Sequence, residues 1–374
     1  LIWFHAASIG ELKSILPIIK ELDKKNNNLE FLVTTVTLSS ANLAKTELKE
    51  FKRVYHRFFP VDVFFLVNKF LNLWKPNAIF LVDSEIWPNL IFIASEKKIP
   101  LAIINARITG KTYRKWMILP NFAKSIFKLF DLCLTSNNET KKYLENLNAK
   151  NIFFFGNLKF CEQIQYKKDD PNKDFLLSNK FWLAASTHEG EDEFCFNAHI
   201  NLKKHIKNII TIVVPRHINR VNKIKKIADN HGLNCQILNK EDKILIDKEI
   251  IIINSFGTLS NFFRYAKSVF IGKSMLKHLK RVGGQNPIEA AKLGCKIYYG
   301  PYVYNFQEIY ELLAKNKVAV QINNSDELVN GLLKDLSNDK NELMNFIPTI
   351  NILAQEILDR SIQKINKEIL NENS

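Results

Sequence analysis

The first stretch able to do chemistry is His5-Ala6-Ala7-Ser8-Ile9-Gly10-Glu11. Its small residues and Gly10 let the main chain come close to a ligand. Glu11 stands at the start of a helical pattern, where a carboxylate can take a proton from a hydroxyl. The same position suits an acid that complements a helix dipole, so both roles stay open. Asp83-Ser84-Glu85-Ile86-Trp87-Pro88-Asn89 puts two acids after a strand pattern. Either they belong to a site, or Ser84 or Glu85 caps the helix that Pro88 opens. Asn105-Ala106-Arg107 closes the next strand and adds a cation to the same rim.

A second group lies further along the chain. In Ser186-Thr187-His188-Glu189-Gly190-Glu191, Ser186 and Glu189 fit a capping box, and the N–H groups of that helix start suit an anion. Arg216, in Pro215-Arg216-His217, is placed to pair with a phosphate or carboxylate, whereas His217 reads as a solvated or core histidine. Gly283-Gly284-Gln285-Asn286-Pro287-Ile288-Glu289 forms a turn that can wrap a phosphate ahead of a helix. Glu289 would repel a phosphate and is better suited to ribose hydroxyls, although an ordinary helix start explains the same residues. Gly272-Lys273-Ser274 is not a P-loop, because Lys267 stands where that motif needs glycine. Neither HExxH, DxD nor an EF-hand occurs, and Glu191-Asp192-Glu193 reads as a helix-start acid cluster. No metal and no other cofactor is expected.

These residues need a scaffold. Strand patterns at Ile2–His5, Phe31–Val36, Val54–Phe58, Ala78–Val82, Leu101–Ile104, Leu132–Thr135 and Ile152–Phe155 alternate with helical ones. Continuous apolar strands of this kind predict a parallel sheet covered on both faces. Pro17 is expected to bend or break the helix after Glu11. The alternation restarts at Phe181–Ala185, Ile209–Val214, Ile250–Ile253, Ser268–Ile271 and Lys296–Tyr299. The reading is α/β with two doubly wound domains, 1–160 and 174–344, joined by a polar linker 161–173. A helix in 345–374 is expected to fold back on the first domain. Ligands bind such sheets at strand C-terminal ends, so the chemistry is expected in a cleft between the domains.

With 374 residues and 46% hydrophobic content the chain can fill two cores, which excludes wholesale disorder. Five cysteines without a CxxC pair exclude a disulfide framework or cysteine-rich zinc site and point to a reducing compartment. No apolar run spans a membrane. The chain starts in a core strand without an initiator Met, and a preceding segment able to hold a signal or anchor is expected. The net charge of +15 calls for nucleic acid, anionic lipid or a phosphorylated substrate, unless it reflects solvated lysine faces. Basic and aromatic residues interleave at Arg107, Lys111, Tyr113, Arg114, Lys115, Trp116, Lys124 and Lys128, and again from Lys45 to Phe59. Such patches suit an anionic membrane or a phosphorylated lipid. No nucleic-acid module is recognised.

In order, FHAASIGE, DSEIWPN, INARIT, GNLKF, STHEGEDE, VPRH, GGQNPIEAAKLG and GPYVYNF resemble one family, the Kdo transferases, from about Trp3 to about Phe306. The resemblance implies a GT-B glycosyltransferase that moves 3-deoxy-D-manno-oct-2-ulosonic acid (Kdo) from CMP-Kdo to the lipid A precursor of lipopolysaccharide. It implies inversion without a metal, with Glu11 as base. Lys159 and Arg216 would balance the leaving phosphate together with the helix start at Asn286. Ser186, Thr187, Gly257 and Gly284 would lie on the CMP-Kdo side, and Glu289 would hold the ribose. Glu85 and Arg107 would line the acceptor side. It also implies the cytoplasmic face of the bacterial inner membrane, an anionic surface, reached through an N-terminal anchor.

The chain departs from the family where Gly272-Lys273-Ser274 replaces GGS, where Met275–Arg281 adds lysines, and where Thr258 replaces a common acid. Another GT-B transferase or epimerase, or a basic lipid-binding protein without turnover, are the competing readings.

Overall fold

The computed structural model describes residues 1–26, 28–164, 170–255, 257–337 and 347–370. Residues 165–169 of the expected linker, 338–344 of the expected second domain and 345–346 and 371–374 of the expected last helix lie outside the described residues. The chain divides into two compact units: Leu1–Gln163 with the chain from Ile352 onward, and Ile164–Asn351.

The first unit is a seven-stranded parallel sheet. Its strands are β1 (Ile2–His5), β2 (Phe31–Thr35), β3 (Val54–Phe58), β4 (Ala78–Val82), β5 (Leu101–Ala106), β6 (Leu132–Thr135) and β7 (Ile152–Phe154), ordered β3-β2-β1-β4-β5-β6-β7. Every residue of β1, β2, β4, β5 and β6 is buried, because side chains alternate between two covered faces. Trp3, Leu32, Ile79, Leu81 and Ile103 join one core with Leu90, Ile93 and Phe127 of the flanking helices. Phe4, Phe31 and Phe80 point the other way and are also buried, with Phe4 and Phe80 stacked at 4.7 Å.

Register sets the site edge. His5 pairs with Thr34 on one side and Leu81 on the other, so the loops after β1 and β4 leave the sheet side by side. Here the strand order reverses direction, the place where such sheets open a crevice.

The helix after β1 runs unbroken from Ile9 to Lys25, with Pro17 inside it, so of the expected bend or break the break does not occur. Proline removes one hydrogen bond and crowds the preceding turn. Burial of Leu12, Ile15, Ile18, Ile19 and Leu22 along one stripe offsets that cost.

Of the two readings open for Ser84 and Glu85, the helix cap does not form. The helix Pro88–Glu96 has no side-chain cap from Trp87. Asp62 does the work from a distant loop, accepting the backbone N–H of Asn89 at 3.1 Å and of Leu90 at 2.9 Å. Asp62→Ala is expected to cost about 1 kcal/mol of stability, read as a lower urea midpoint with unchanged m-value.

From Ile352, within helix Ile347–Ile365, the chain belongs to the first unit. The Cys161 thiol donates to the Ala354 carbonyl, and the Arg360 guanidinium lies 4.5 Å from the Phe155 ring centre.

The second unit is a second seven-stranded parallel sheet. It comprises β8 (Phe181–Thr187), β9 (Ile210–Pro215), β10 (Cys235–Leu238), β11 (Ile250–Ile253), β12 (Ser268–Ile271), β13 (Lys296–Tyr299) and β14 (Ala319–Gln321), ordered β10-β11-β9-β8-β12-β13-β14. β10 and β14 are additions to the strands expected. Both are short edge strands carrying a Gln, and so lack the apolar run that marks the inner ones.

Candidate active site

In the first unit Glu11 occupies the third position of its helix. Ser8 is the N-cap, accepting the Glu11 N–H at 3.3 Å, while Glu11 accepts the Ser8 hydroxyl at 2.7 Å and the Ala7 N–H at 2.8 Å. The acid therefore does cap its helix, and that capping holds its carboxylate at the crevice between β1 and β4. Burial pushes the Glu11 carboxyl above the usual carboxylate range. The negative fields of Asp83 and Glu85 add to this, against the bonds from Ser8 and Ala7.

Glu85 is held from two sides. Its Oε2 accepts the Trp87 indole N–H at 2.9 Å and faces His5 Nε2 at 3.2 Å. The His5 ring is buried, stacked on Phe59 at 3.8 Å, with Nδ1 3.0 Å from the Thr34 hydroxyl. An Nε2–H tautomer donates to Glu85 and leaves Nδ1 to accept from Thr34.

Asp83 has a left-handed backbone, with φ 58°, at the end of β4. Burial raises its carboxyl, while the cations of Lys159 and Arg107 pull it down. Lys159 thus sits in the first unit within electrostatic reach of Asp83, on the 3-10 turn Leu158–Cys161 that packs on helix Ile9–Lys25. Asn105, at φ 51°, ties this turn to β5 by accepting the Leu158 N–H at 3.0 Å. One crevice therefore gathers Glu11, Asp83 and Glu85 with Arg107 and Lys159. Asp83, the first of the two acids that follow the β4 strand pattern, thus joins Glu85 in the crevice.

In the second unit the reversal of strand order falls between β8 and β12. Ser186, at φ 56°, lies in an irregular register step of β8. The expected capping box does not form. The helix starts at Glu191 behind Gly190, with no side-chain cap, and Glu189 turns out to pair with Lys223. An anion nest does occur next to this helix start, and the protein's own Glu191 fills it. The Glu191 carboxylate accepts the His188 N–H at 2.9 Å, and three N–H groups of the loop after β12.

Thr187 is fully buried and donates its hydroxyl to Asp192 at 2.7 Å, so it serves the fold rather than facing a ligand. Asp192, also fully buried, is paired with Arg220, whose guanidinium further donates to the Thr187 carbonyl at 3.1 Å. Arg216 follows β9, its backbone N–H bonded to the Thr187 carbonyl at 3.1 Å and its side chain exposed. It stands beside Ser186 and His188 at the end of the sheet. Burial holds the His188 imidazole below its usual value, and so neutral near pH 7.

The paired glycines act differently from the phosphate-wrapping turn expected. The Gly283 N–H donates to the Leu279 carbonyl and the Gly284 N–H to the Lys273 carbonyl, at 2.6 and 2.7 Å. A Cβ on Gly283 would lie 2.0 Å from the Tyr302 carbonyl oxygen, so close packing demands the glycine. Asn286 accepts the Ile288 N–H at 3.1 Å. The helix that follows, Ile288–Lys292, has five residues, too few for a strong dipole. Glu289 accepts the Ser260 hydroxyl, which fixes its carboxylate beside the loop carrying Gly257. Gly257 has φ 72°, and its neighbour Phe256 lies outside the described residues. Among the described residues no three His, Cys, Asp or Glu side chains are grouped to hold a metal ion.

Two Rossmann-like units, each with polar side chains at its switch point, define the GT-B class. Solved structures agree at the level of fold. The putative UDP-N-acetylglucosamine 2-epimerase from Listeria monocytogenes matches 100% of this chain and 97% of its own, at TM-score 0.67 and 14% identity. A glycosyltransferase from Rickettsia africae matches 100% and 99%, at TM-score 0.63 and 11% identity.

Sequence narrows the class. Residues 1–162 match the family described as 3-Deoxy-D-manno-octulosonic-acid transferase (kdotransferase). The 3-deoxy-D-manno-octulosonic acid transferase of Rickettsia bellii is 32% identical over 98% of this chain and 88% of its own length. That of Rickettsia felis is 30% identical over 98% and 79%, and that of Aquifex aeolicus 30% over 90% and 86%. The chain belongs to this family of glycosyltransferases.

Proposed function

We propose that the protein transfers Kdo from CMP-Kdo to the lipid A precursor in lipopolysaccharide synthesis, inverting the sugar's anomeric centre without a metal ion. The observation that carries the reading is Glu11, held by Ser8 and Ala7 at the switch-point crevice with its carboxyl above the usual range. A carboxylate of raised basicity suits the removal of a proton from an acceptor hydroxyl. The hydroxyl oxygen then bonds to the Kdo anomeric carbon as the bond from that carbon to the CMP phosphate oxygen breaks. The transition state is oxocarbenium-like, and CMP departs with the electron pair. Arg216 balances its charge, and Glu289 takes the ribose.

The acceptor carries phosphates and acyl chains, and the first unit has a surface to match. Helix Phe64–Trp74 exposes Phe65 and Leu73, at 67% and 75%. Ile118 and Phe122 are exposed among Lys111, Arg114, Lys115 and Lys128. Exposed apolar side chains together with exposed cations suit the anionic cytoplasmic face of the inner membrane. No helix of the described residues is long and apolar enough to cross a membrane.

Purified protein given CMP-Kdo and lipid A precursor should yield a lipid heavier by Kdo in mass spectrometry. CMP at about a hundred times its Kd should stabilise the protein by about 2.7 kcal/mol, whereas UDP should leave Tm unmoved. Protection by UDP in place of CMP would favour a different nucleotide-sugar enzyme.

A further inference from the structure

We propose that Glu191 is the positioning residue of the donor site, holding three ligand-facing loops in register through one buried carboxylate. The inference rests on the CMP-Kdo reading of the second unit. Two loops leave the switch point there, one after β8 and one after β12. Glu191 joins them. It is fully buried, and its oxygens accept the N–H groups of His188 at 2.9 Å, Lys273 at 2.6 Å, Ser274 at 2.8 Å and Met275 at 3.0 Å. Consecutive N–H groups converging in this way make a nest for an anion, and a charged acceptor makes each bond a strong one.

The loops are packed to contact around it. A Cβ on Gly272 would come within 2.7 Å of Glu191 Oε2, the Ser186 carbonyl oxygen and Thr187 Cα alike. The residues that Glu191 grips in turn hold the remaining donor-side loops. The Lys273 carbonyl accepts the Gly284 N–H at 2.7 Å. The Ser274 carbonyl accepts the Tyr302 N–H and its hydroxyl the Gly300 N–H, both at 2.9 Å. One carboxylate thus registers the Ser186 loop, the double-glycine loop and the Gly300 loop. Because the nest is filled from within, an anionic donor is left to side chains such as Arg216, and Glu191 acts on it only through the loops.

The test compares wild type with E191A and E191Q, using calorimetric titration with CMP and steady-state kinetics. Both variants should weaken CMP binding and raise the KM for CMP-Kdo by about 10- to 100-fold, the scale of an ångström-sized misplacement, with the KM for the lipid acceptor unchanged. Acetate should restore CMP affinity to E191A by refilling the nest, and should do nothing for E191Q, whose amide still occupies it. If E191A fails to fold, the isosteric E191Q carries the same titration and the same KM comparison. Unchanged CMP affinity in a folded variant, equal loss toward both substrates, or an E191A indifferent to acetate would overturn the proposal. Wild type that binds no CMP would instead overturn the functional reading, and this inference with it.

Discussion

Glu11→Gln should lower the turnover of Kdo transfer by about 10²- to 10⁴-fold, the usual contribution of a positioned general base, while CMP affinity holds. Gln keeps the size of Glu, and its amide oxygen can still accept from Ser8 or Ala7, so the helix start survives. What disappears is the ability to take a proton. Wild-type turnover should also fall as pH drops through the Glu11 pKa. Burial and the nearby Asp83 and Glu85 place that acid limb above where an ordinary glutamate would put it. Stability moves the opposite way. A carboxyl whose pKa is raised on folding binds its proton more tightly in the folded state, so the stability it contributes is present at low pH and is lost as pH rises through the raised value. The neutral Gln escapes that loss, and near neutral pH the variant should melt at or above the wild-type Tm. Low activity in an equally stable protein is the signature of a base; full turnover by Glu11→Gln would remove Glu11 from that role.

The parts of this molecule that were legible in sequence are those governed by local pattern. Buried parallel strands such as Ala78–Val82 are continuous apolar runs, and Glu11 at the start of a helical pattern uses only neighbours. The crevice acids Glu11, Asp83 and Glu85 all lie where strand patterns end. Long-range pairings are what the pattern hides. Asp62 caps a helix that begins 26 residues later, which no local signature records. Gly283 and Gly284 look like a phosphate cradle, yet their N–H groups are bonded to carbonyls of Leu279 and Lys273. Glu191 and Asp192 do form part of a helix-start acid cluster, but nothing in the local pattern shows that both are fully buried. Burial of an acid depends on which loops fold over it, and that is settled by the sheet order rather than by the residues beside it.

Asp192→Ala should destabilise the second unit by about 3–5 kcal/mol, because it strands a partly buried cation. Asp192 is wholly buried, and the Arg220 side chain retains 13% exposure. Removing the carboxylate leaves that guanidinium without its anion and the buried Thr187 hydroxyl without its acceptor. The pair itself is no great source of stability. Burial holds the Asp192 carboxyl above its usual range despite the bonds from Thr187 and Arg220, so desolvation outweighs the attraction. The cost of Asp192→Ala is then mainly the cost of an uncompensated charge, which predicts strong coupling. Arg220→Ala should also destabilise, yet the double variant should lose less than the two singles together, by about 0.5–3 kcal/mol. Urea unfolding of the three variants measures this directly. Strict additivity would mean that each side chain is stabilised by other partners, and that the loop after β8 does not depend on this ion pair for its place.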